Sequence, residues 1–335
     1  MTRLRRRTGT KELLHTLENL VVMQPKKLRG RWSEAFGNDR PIHVELGMGK
    51  GRFISQMSLQ HPHINFIGID MYDELIRKGS EKAEEARSEH EAAGGETTDN
   101  LRLALGNIEY IEEMFAPGEI ERIYLNFSDP WPKTRHAHRR LTYMTFLQKY
   151  KEILNRDGEI HMKTDSRSLF EFSLNSFAEM EMMVRNISLD MHGAGPVPNN
   201  VMTEYEMKFA SQGINIHRVE VIVGERAVER RKAELAELRE RRGKQAQERA
   251  RAALAAARSG EDADAGVGAG ADDAPAMAAD ARDRAFANAA RAGAAHADAE
   301  LAEELAPPRK GIGAGAGARK RAGSILRVDG SPSRR

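Results

Sequence analysis

Five short apolar runs interleaved with helical stretches leave this chain few architectures. The runs are Ile42–Leu46, Phe66–Asp70, Leu101–Leu105, Arg122–Phe127 and Glu159–Thr164. Each has the length and the branched or aromatic content of a buried strand. Helical periodicity is predicted over Arg52–Leu59, Glu74–Glu91, Tyr143–Leu154 and Ser168–Met180. Strands that alternate with helices pair through crossovers, so the expectation is a mostly parallel sheet covered on both faces, an α/β fold. Ile216–Val223 reads as a late strand with no helix required before it, able to enter antiparallel at an edge.

Directly after the first run, Glu45-x-Gly47-x-Gly49-x-Gly51 puts glycines where backbone passes close to a ligand and then starts a helix. The spacing is not the G-x-G-x-x-G that brings a helix N-terminus to a pyrophosphate. A carboxylate two residues before the first glycine also disfavours phosphate nearby. A ligand with an adenosyl group, a cationic sulfonium and an ammonium suits it better. Asp70 ends the second strand, where a carboxylate accepts hydrogen bonds from ribose hydroxyls, and Asn107 follows the third with an amide for an adenine edge. Singly, such residues cap helices. With Asp129 after the fourth strand, four polar residues at four successive strand ends are harder to read as caps.

The fourth strand runs into Asn126-Phe127-Ser128-Asp129-Pro130-Trp131-Pro132-Lys133. Prolines at alternate positions cannot continue a central strand, so pairing stops where a carboxylate and an indole ring emerge. Open α/β sheets bind ligands at that carboxyl edge. The acid-free run Thr134-Arg135-His136-Ala137-His138-Arg139-Arg140 follows and points to a ligand carrying phosphate. Trp131 is suited to stacking on an unpaired base, or to packing on the turn. His136 and His138 have a metal-ligand spacing without a third ligand, and no metal is expected.

The chain has 335 residues, but its composition changes near position 225. The expected organisation is a basic segment over 1–40, a catalytic domain over 41–224, a charged helical extension over 225–258 and a low-complexity, disordered tail over 259–335. A net charge of +2 does not by itself announce a nucleic-acid partner; local clusters do, in Arg3 to Lys11, in Lys26, Lys27, Arg29 and Arg31, and after Lys133. Without cysteine there are no disulfides or thiolate metal sites, and no run is long and apolar enough for a membrane span. The cytoplasm is the expected location.

Together, Val44–Gly51, Phe66–Asp70, Tyr124–Lys133 with Arg135–Arg140, His161–Asp165 and Thr203-Glu204-Tyr205-Glu206 resemble the bacterial tRNA (guanine-N7-)-methyltransferases, over roughly positions 1 to 223. The resemblance implies a Rossmann-like class I methyltransferase with a seven-stranded sheet, acting with S-adenosylmethionine on the guanine at position 46 of the tRNA variable loop. It implies that Glu45, the glycine turn, Asp70, Asn107 and Asp129 contact the cofactor, with Asp129 at the catalytic edge. It further implies that Lys133, Asp165, Thr203, Glu204, Tyr205 and Glu206 meet the guanosine, and that Arg135, His136, Ala137, His138, Arg139 and Arg140 contact RNA. In relatives the place of Asn107 is often Asp. Two other readings stand beside this one: an exocyclic-amine methyltransferase of nucleic acid, whose Asp/Asn-Pro-Pro-aromatic turn is similar to Asp129–Pro132, and a non-catalytic RNA-binding scaffold built on the same sheet.

Overall fold

A computed structural model describes residues 8–195 and 197–264. Its elements are α1 (Thr10–His15), β1 (Val21–Val22), α2 (Trp32–Phe36), β2 (Ile42–Leu46), α3 (Arg52–Gln60), β3 (Asn65–Asp70), α4 (Asp73–Ala92), β4 (Leu101–Leu105), β5 (Ile120–Asn126), α5 (Met144–Ile153), β6 (Leu154–Thr164), α6 (Arg167–Glu179), β7 (Met183–Ser188), α7 (Glu204–Ser211), β8 (His217–Ile222) and α8 (Glu225–Asp264). The strands form one eight-stranded sheet in the order β1-β4-β3-β2-β5-β6-β8-β7. The strand beyond the expected seven is the two-residue β1, which pairs parallel with β4 at the outer edge.

The late strand β8 runs antiparallel, but it is not at an edge. It lies between β6 and β7 and is antiparallel to both. The edge belongs to β7, which sequence periodicity misses because its side chains alternate only between half-buried and exposed. Without an apolar run it has no signal to read.

Alternate strand residues divide between two cores. Val44, Leu46, Ile67, Ile69, Ile123, Leu125, Ile160 and Met162 pack with Leu147, Tyr150 and Ile153 of α5 and Leu169, Phe170 and Phe177 of α6. On the other face Phe66, Leu103 and Tyr124 meet Phe53 and Ile54 of α3 and Ile76 of α4. The fold starts before Ile42, since Leu14 and Trp32 are fully buried. Trp32 stacks on Phe115 at 5.3 Å, and its indole N–H donates to the Met114 carbonyl at 3.0 Å.

The second basic cluster is largely spent on this packing: Lys26 pairs with Glu113, Arg29 donates to the Glu112 carbonyl and Arg31 pairs with Glu34. The first cluster falls mostly in residues 1–7, outside the described residues. At the other end α8 is tied down by its first turns. Ala227 is buried, and Arg226 and Arg230 pair with Asp157 at 2.6 and 3.0 Å. Leu238 and Leu254 further along are exposed. The helix runs past Arg258 to Asp264; the remainder of the expected tail, from 265 on, lies outside the described residues. Among the described residues no helix is long and apolar enough to cross a membrane, and no group of three or more acidic or histidine side chains could hold a metal ion.

Candidate functional site

Glu45, Asp70, Asn107, Asp129 and Asp165 all lie at or just past the carboxyl ends of the parallel strands β2 to β6. The glycine turn after β2 is laced to the end of β3, with the Gly47 and Met48 amides donating to the Ile69 carbonyl at 2.9 and 3.0 Å. Gly47, Gly49 and Gly51 have φ of 78°, 57° and 79°, the left-handed region that side chains avoid. A Cβ on Gly47 or Gly49 would meet nothing within 4 Å, so that side of the turn is open. At Gly51, which starts α3, a Cβ would lie 2.9 Å from the Gly79 Cα of α4, so this glycine also lets two helices approach.

Glu45 is almost fully buried beneath the turn. Its Oε1 accepts from Asn126 Nδ2 at 2.9 Å, while Oε2 has no partner at hydrogen-bond geometry among the described residues, the Ile54 backbone N–H at the start of α3 acting only weakly on the carboxyl group. Burial pushes its pKa up to about 8, against the opposing effects of the Asn126 hydrogen bond and the Lys163 charge. Asp70 clasps backbone instead. Its carboxylate accepts from Gly49 N at 3.2 Å and Tyr72 N at 3.1 Å, and burial raises its pKa to about 6 despite those bonds. Asn107 caps a 3-10 helix over Ile108–Glu113 by accepting from Glu109 N through Oδ1. Its NH2 has no partner among the described residues.

After β5 the backbone is strained. Phe127 and Trp131 have φ of 51° and 41°, positions that bulky residues rarely take. Between them Asp129 is exposed, makes no hydrogen bond or ion pair among the described residues, and has its pKa raised by partial desolvation. Asp165, two residues past Lys163 on the adjacent strand, is half-buried and equally unengaged. Asn126 and Lys163 are in register, so both carboxylates project from one stretch of the edge.

The basic run divides in two. Lys133, Arg135, His138 and Arg139 are exposed, and the Arg139 guanidinium lies over the Trp131 ring at 4.9 Å. Arg140 turns inward. It is 9 % exposed, donates to the Pro130 and Trp131 carbonyls at 3.0 and 3.1 Å and covers the Phe172 ring at 4.3 Å. Its Nε and Nη2 donors thus hold the turn that presents Asp129. Ala137 can offer RNA only its backbone and methyl group.

Thr203–Glu206 forms the first turn of α7. The Thr203 side chain accepts from Glu206 N and the Glu206 carboxylate accepts from Thr203 N, a capping box. Glu206 is fully buried and also accepts from Lys163, His192 and Asn200. Burial favours its neutral form, but the Lys163 charge and these hydrogen bonds outweigh that and lower its pKa. Glu204 reaches back to Lys50 of the glycine turn at 2.8 Å. Tyr205 is 58 % exposed and stacks on Phe127, with centroids 6.3 Å apart. Sequence reasoning misses Asn126, Lys163, His192 and Asn200; only the capping-box spacing from Thr203 to Glu206 gives any local sign.

A doubly wound sheet with one reversed strand next to its last edge, a glycine turn after β2 and acidic strand ends define a class I methyltransferase. The family model described as "Putative methyltransferase" matches residues 39–219, more than half of the chain. A tRNA (guanine-N(7)-)-methyltransferase of Streptococcus mutans serotype c is 47% identical over 218 residues, covering 65% of this chain and 98% of its own. Those of Bacillus velezensis and Bacillus subtilis are 44% and 42% identical over 219 residues, covering 65% of this chain and 96% and 98% of theirs. The chain belongs to the tRNA (guanine-N(7)-)-methyltransferase family.

Proposed function

We propose that this protein transfers a methyl group from S-adenosylmethionine to N7 of the guanine at position 46 in tRNA. One observation carries the cofactor half of the reading: a buried carboxylate, Glu45, with one oxygen orphaned beneath a turn whose Gly47 and Gly49 leave room beside the backbone. A buried polar atom without a partner needs one, and a cationic ligand fits it. Glu45 Oε2 then accepts from or pairs with the positive amino-acid portion, Asp70 turns its remaining lone pairs to the ribose, and the Asn107 NH2 serves an adenine edge. When bound, the cofactor supplies an electrophilic methyl on a sulfonium.

Guanine N7 has a lone pair and no proton, so no general base is required to deprotonate it. The purine becomes cationic instead. What the residues must do is aim N7 in line and hold negative potential beside the ring. Asp129 and Asp165, carboxylates at adjacent strand ends with no hydrogen bond or ion pair among the described residues, are suited to that charge and to accepting from guanine N1–H and N2–H. Tyr205 offers an exposed ring for stacking. Lys133, Arg135, His138 and Arg139 supply the RNA-facing charge, Arg139 from a position already stacked on Trp131.

The test is incubation with labelled S-adenosylmethionine and unmodified tRNA, followed by nucleoside mapping. N7-methylguanosine is expected, with strand scission by borohydride and aniline at that site. Label on an exocyclic amine would support the amine-methyltransferase reading instead, and absence of transfer would leave the scaffold reading.

A further inference from the structure

α8 begins past residue 219, where the family match ends, and the chemistry above makes no use of it. Arg226 and Arg230 root it on Asp157, near the start of β6, at the sheet edge opposite Asp165. Ala227 is buried and Val228, Arg231 and Leu235 are half-buried, so the first turns dock one face of the helix; from 236 to 255 every residue is exposed. A helix of 40 residues extends about 60 Å, and most of α8 stands off the sheet. Its charges are sorted by face. At 3.6 residues per turn, Lys232, Arg239, Arg242 and Arg249 fall within an arc of roughly 100°, which continues the face that Val228 and Leu235 dock. Glu229, Glu234, Glu237, Glu240 and Glu248 all fall on the other side, where Glu237 pairs with Arg241 at 3.5 Å and Glu240 with Lys244 at 2.7 Å. The stripe of cations is left without a carboxylate along it.

We propose that this stripe of α8 is a docking surface for the phosphate backbone of the tRNA substrate, away from the guanine that reacts. The proposal rests on the methyltransferase reading and extends its RNA interface beyond the strand ends. Cations gathered on one face without a carboxylate among them fit a polyanion, and each that meets a phosphate releases a condensed counterion. A second copy of the helix fits poorly. Val228, Leu235, Arg242 and Arg249 stand at heptad spacing, and two arginines in such a seam would face two more. An anionic membrane surface fits poorly as well, since a helix lying in that interface needs a broad apolar face, and between 236 and 255 the large apolar side chains are Leu238 and Leu254 alone.

Two full-length variants decide it. The stripe variant carries Arg239→Gln, Arg242→Gln and Arg249→Gln; the flank variant carries Arg241→Gln, Lys244→Gln and Arg251→Gln, which removes the same charge from the other side. Glutamine is a good helix former, so any fraying affects both alike. The stripe variant is expected to flatten the log-log salt dependence of tRNA binding by about 2, at roughly 0.7 per phosphate. It should also raise KM for tRNA, while kcat and S-adenosylmethionine affinity stay within about twofold because the site is distant. The flank variant is expected to lose roughly half as much slope or less. An unchanged slope in the stripe variant, or equal losses in the two, overturns the proposal. So does a stripe variant that binds tRNA like the wild type but no longer adheres to phosphatidylserine vesicles, or sediments as a smaller species. Binding is read without turnover, so the two readings separate. If the stripe variant flattens the slope but the wild type transfers no methyl group, the function is overturned and not the stripe; transfer with an unflattened slope does the reverse.

Discussion

Asn126 at the end of β5 donates its side-chain N–H to Glu45 at the end of β2, 2.9 Å away, and leaves the other Glu45 oxygen bare. The bond aims the carboxylate and favours its ionised form. Asn126→Ala is expected to weaken S-adenosylmethionine binding about tenfold to a hundredfold, the range of one hydrogen bond to a charged group. Titration calorimetry checks it, and an unchanged Kd would separate Glu45 from the cofactor.

Binding should also depend on pH. Burial raises Glu45 to about 8 and Asp70 to about 6, from ordinary values of 4.5 and 3.8. A raised carboxyl pKa favours the folded protein below the unfolded value, and that contribution disappears as pH climbs through the folded one. Stability of the ligand-free protein from these two groups therefore falls between about pH 4 and 8. A cationic ligand prefers the ionised carboxylates, so its affinity rises from about pH 6 toward about 8 and binding releases protons. Calorimetry in buffers of different ionisation heat measures the release. Glu45→Gln should remove most of it.

At the reacting edge, Asp129→Ala is expected to lower single-turnover methylation about a hundredfold or more, as loss of a preorganised charge-stabilising group does. Thermal stability should hardly change, because the Asp129 side chain has no hydrogen bond or ion pair among the described residues to lose. Wild-type-like transfer by this variant would remove Asp129 from the reaction.

The two halves of the basic run should part in a salt titration. Lys133, Arg135 and Arg139 replaced together by Ala should flatten the log-log salt dependence of tRNA binding by about 2, at roughly 0.7 per phosphate of single-stranded character. Arg140→Ala should leave that slope alone and lower Tm, since it strands two carbonyls and a ring. Equal slopes for wild type and triple variant would place the RNA elsewhere.

The features legible in the amino-acid order are local ones: a glycine turn follows a strand within a few positions, and prolines announce where pairing ends. That logic puts Glu45, Asp70, Asn107, Asp129 and Asp165 at strand ends, and the sheet brings them to one edge. The Lys163–Glu206 pair is not legible, because two residues 43 apart meet only once α7 folds back over β6. Arg140 reads like its basic neighbours, as nothing in a charge run marks the member that turns inward. The Thr203-x-x-Glu206 spacing does announce a helix start, yet its burial comes from Lys163, His192 and Asn200 arriving from elsewhere. The edge strand β7 lacks a repeating apolar pattern, so β8 reads as the last strand although β7 lies outside it.

The left-handed backbone at Phe127 and Trp131 holds about 1–3 kcal/mol of strain at each position. Glycine there would relieve it. A search for hardier variants scored only on melting would thus be drawn to these two sites, and would loosen the loop that carries Asp129 while the protein grew more robust. Endurance and turnover are set against each other within five residues of one bend.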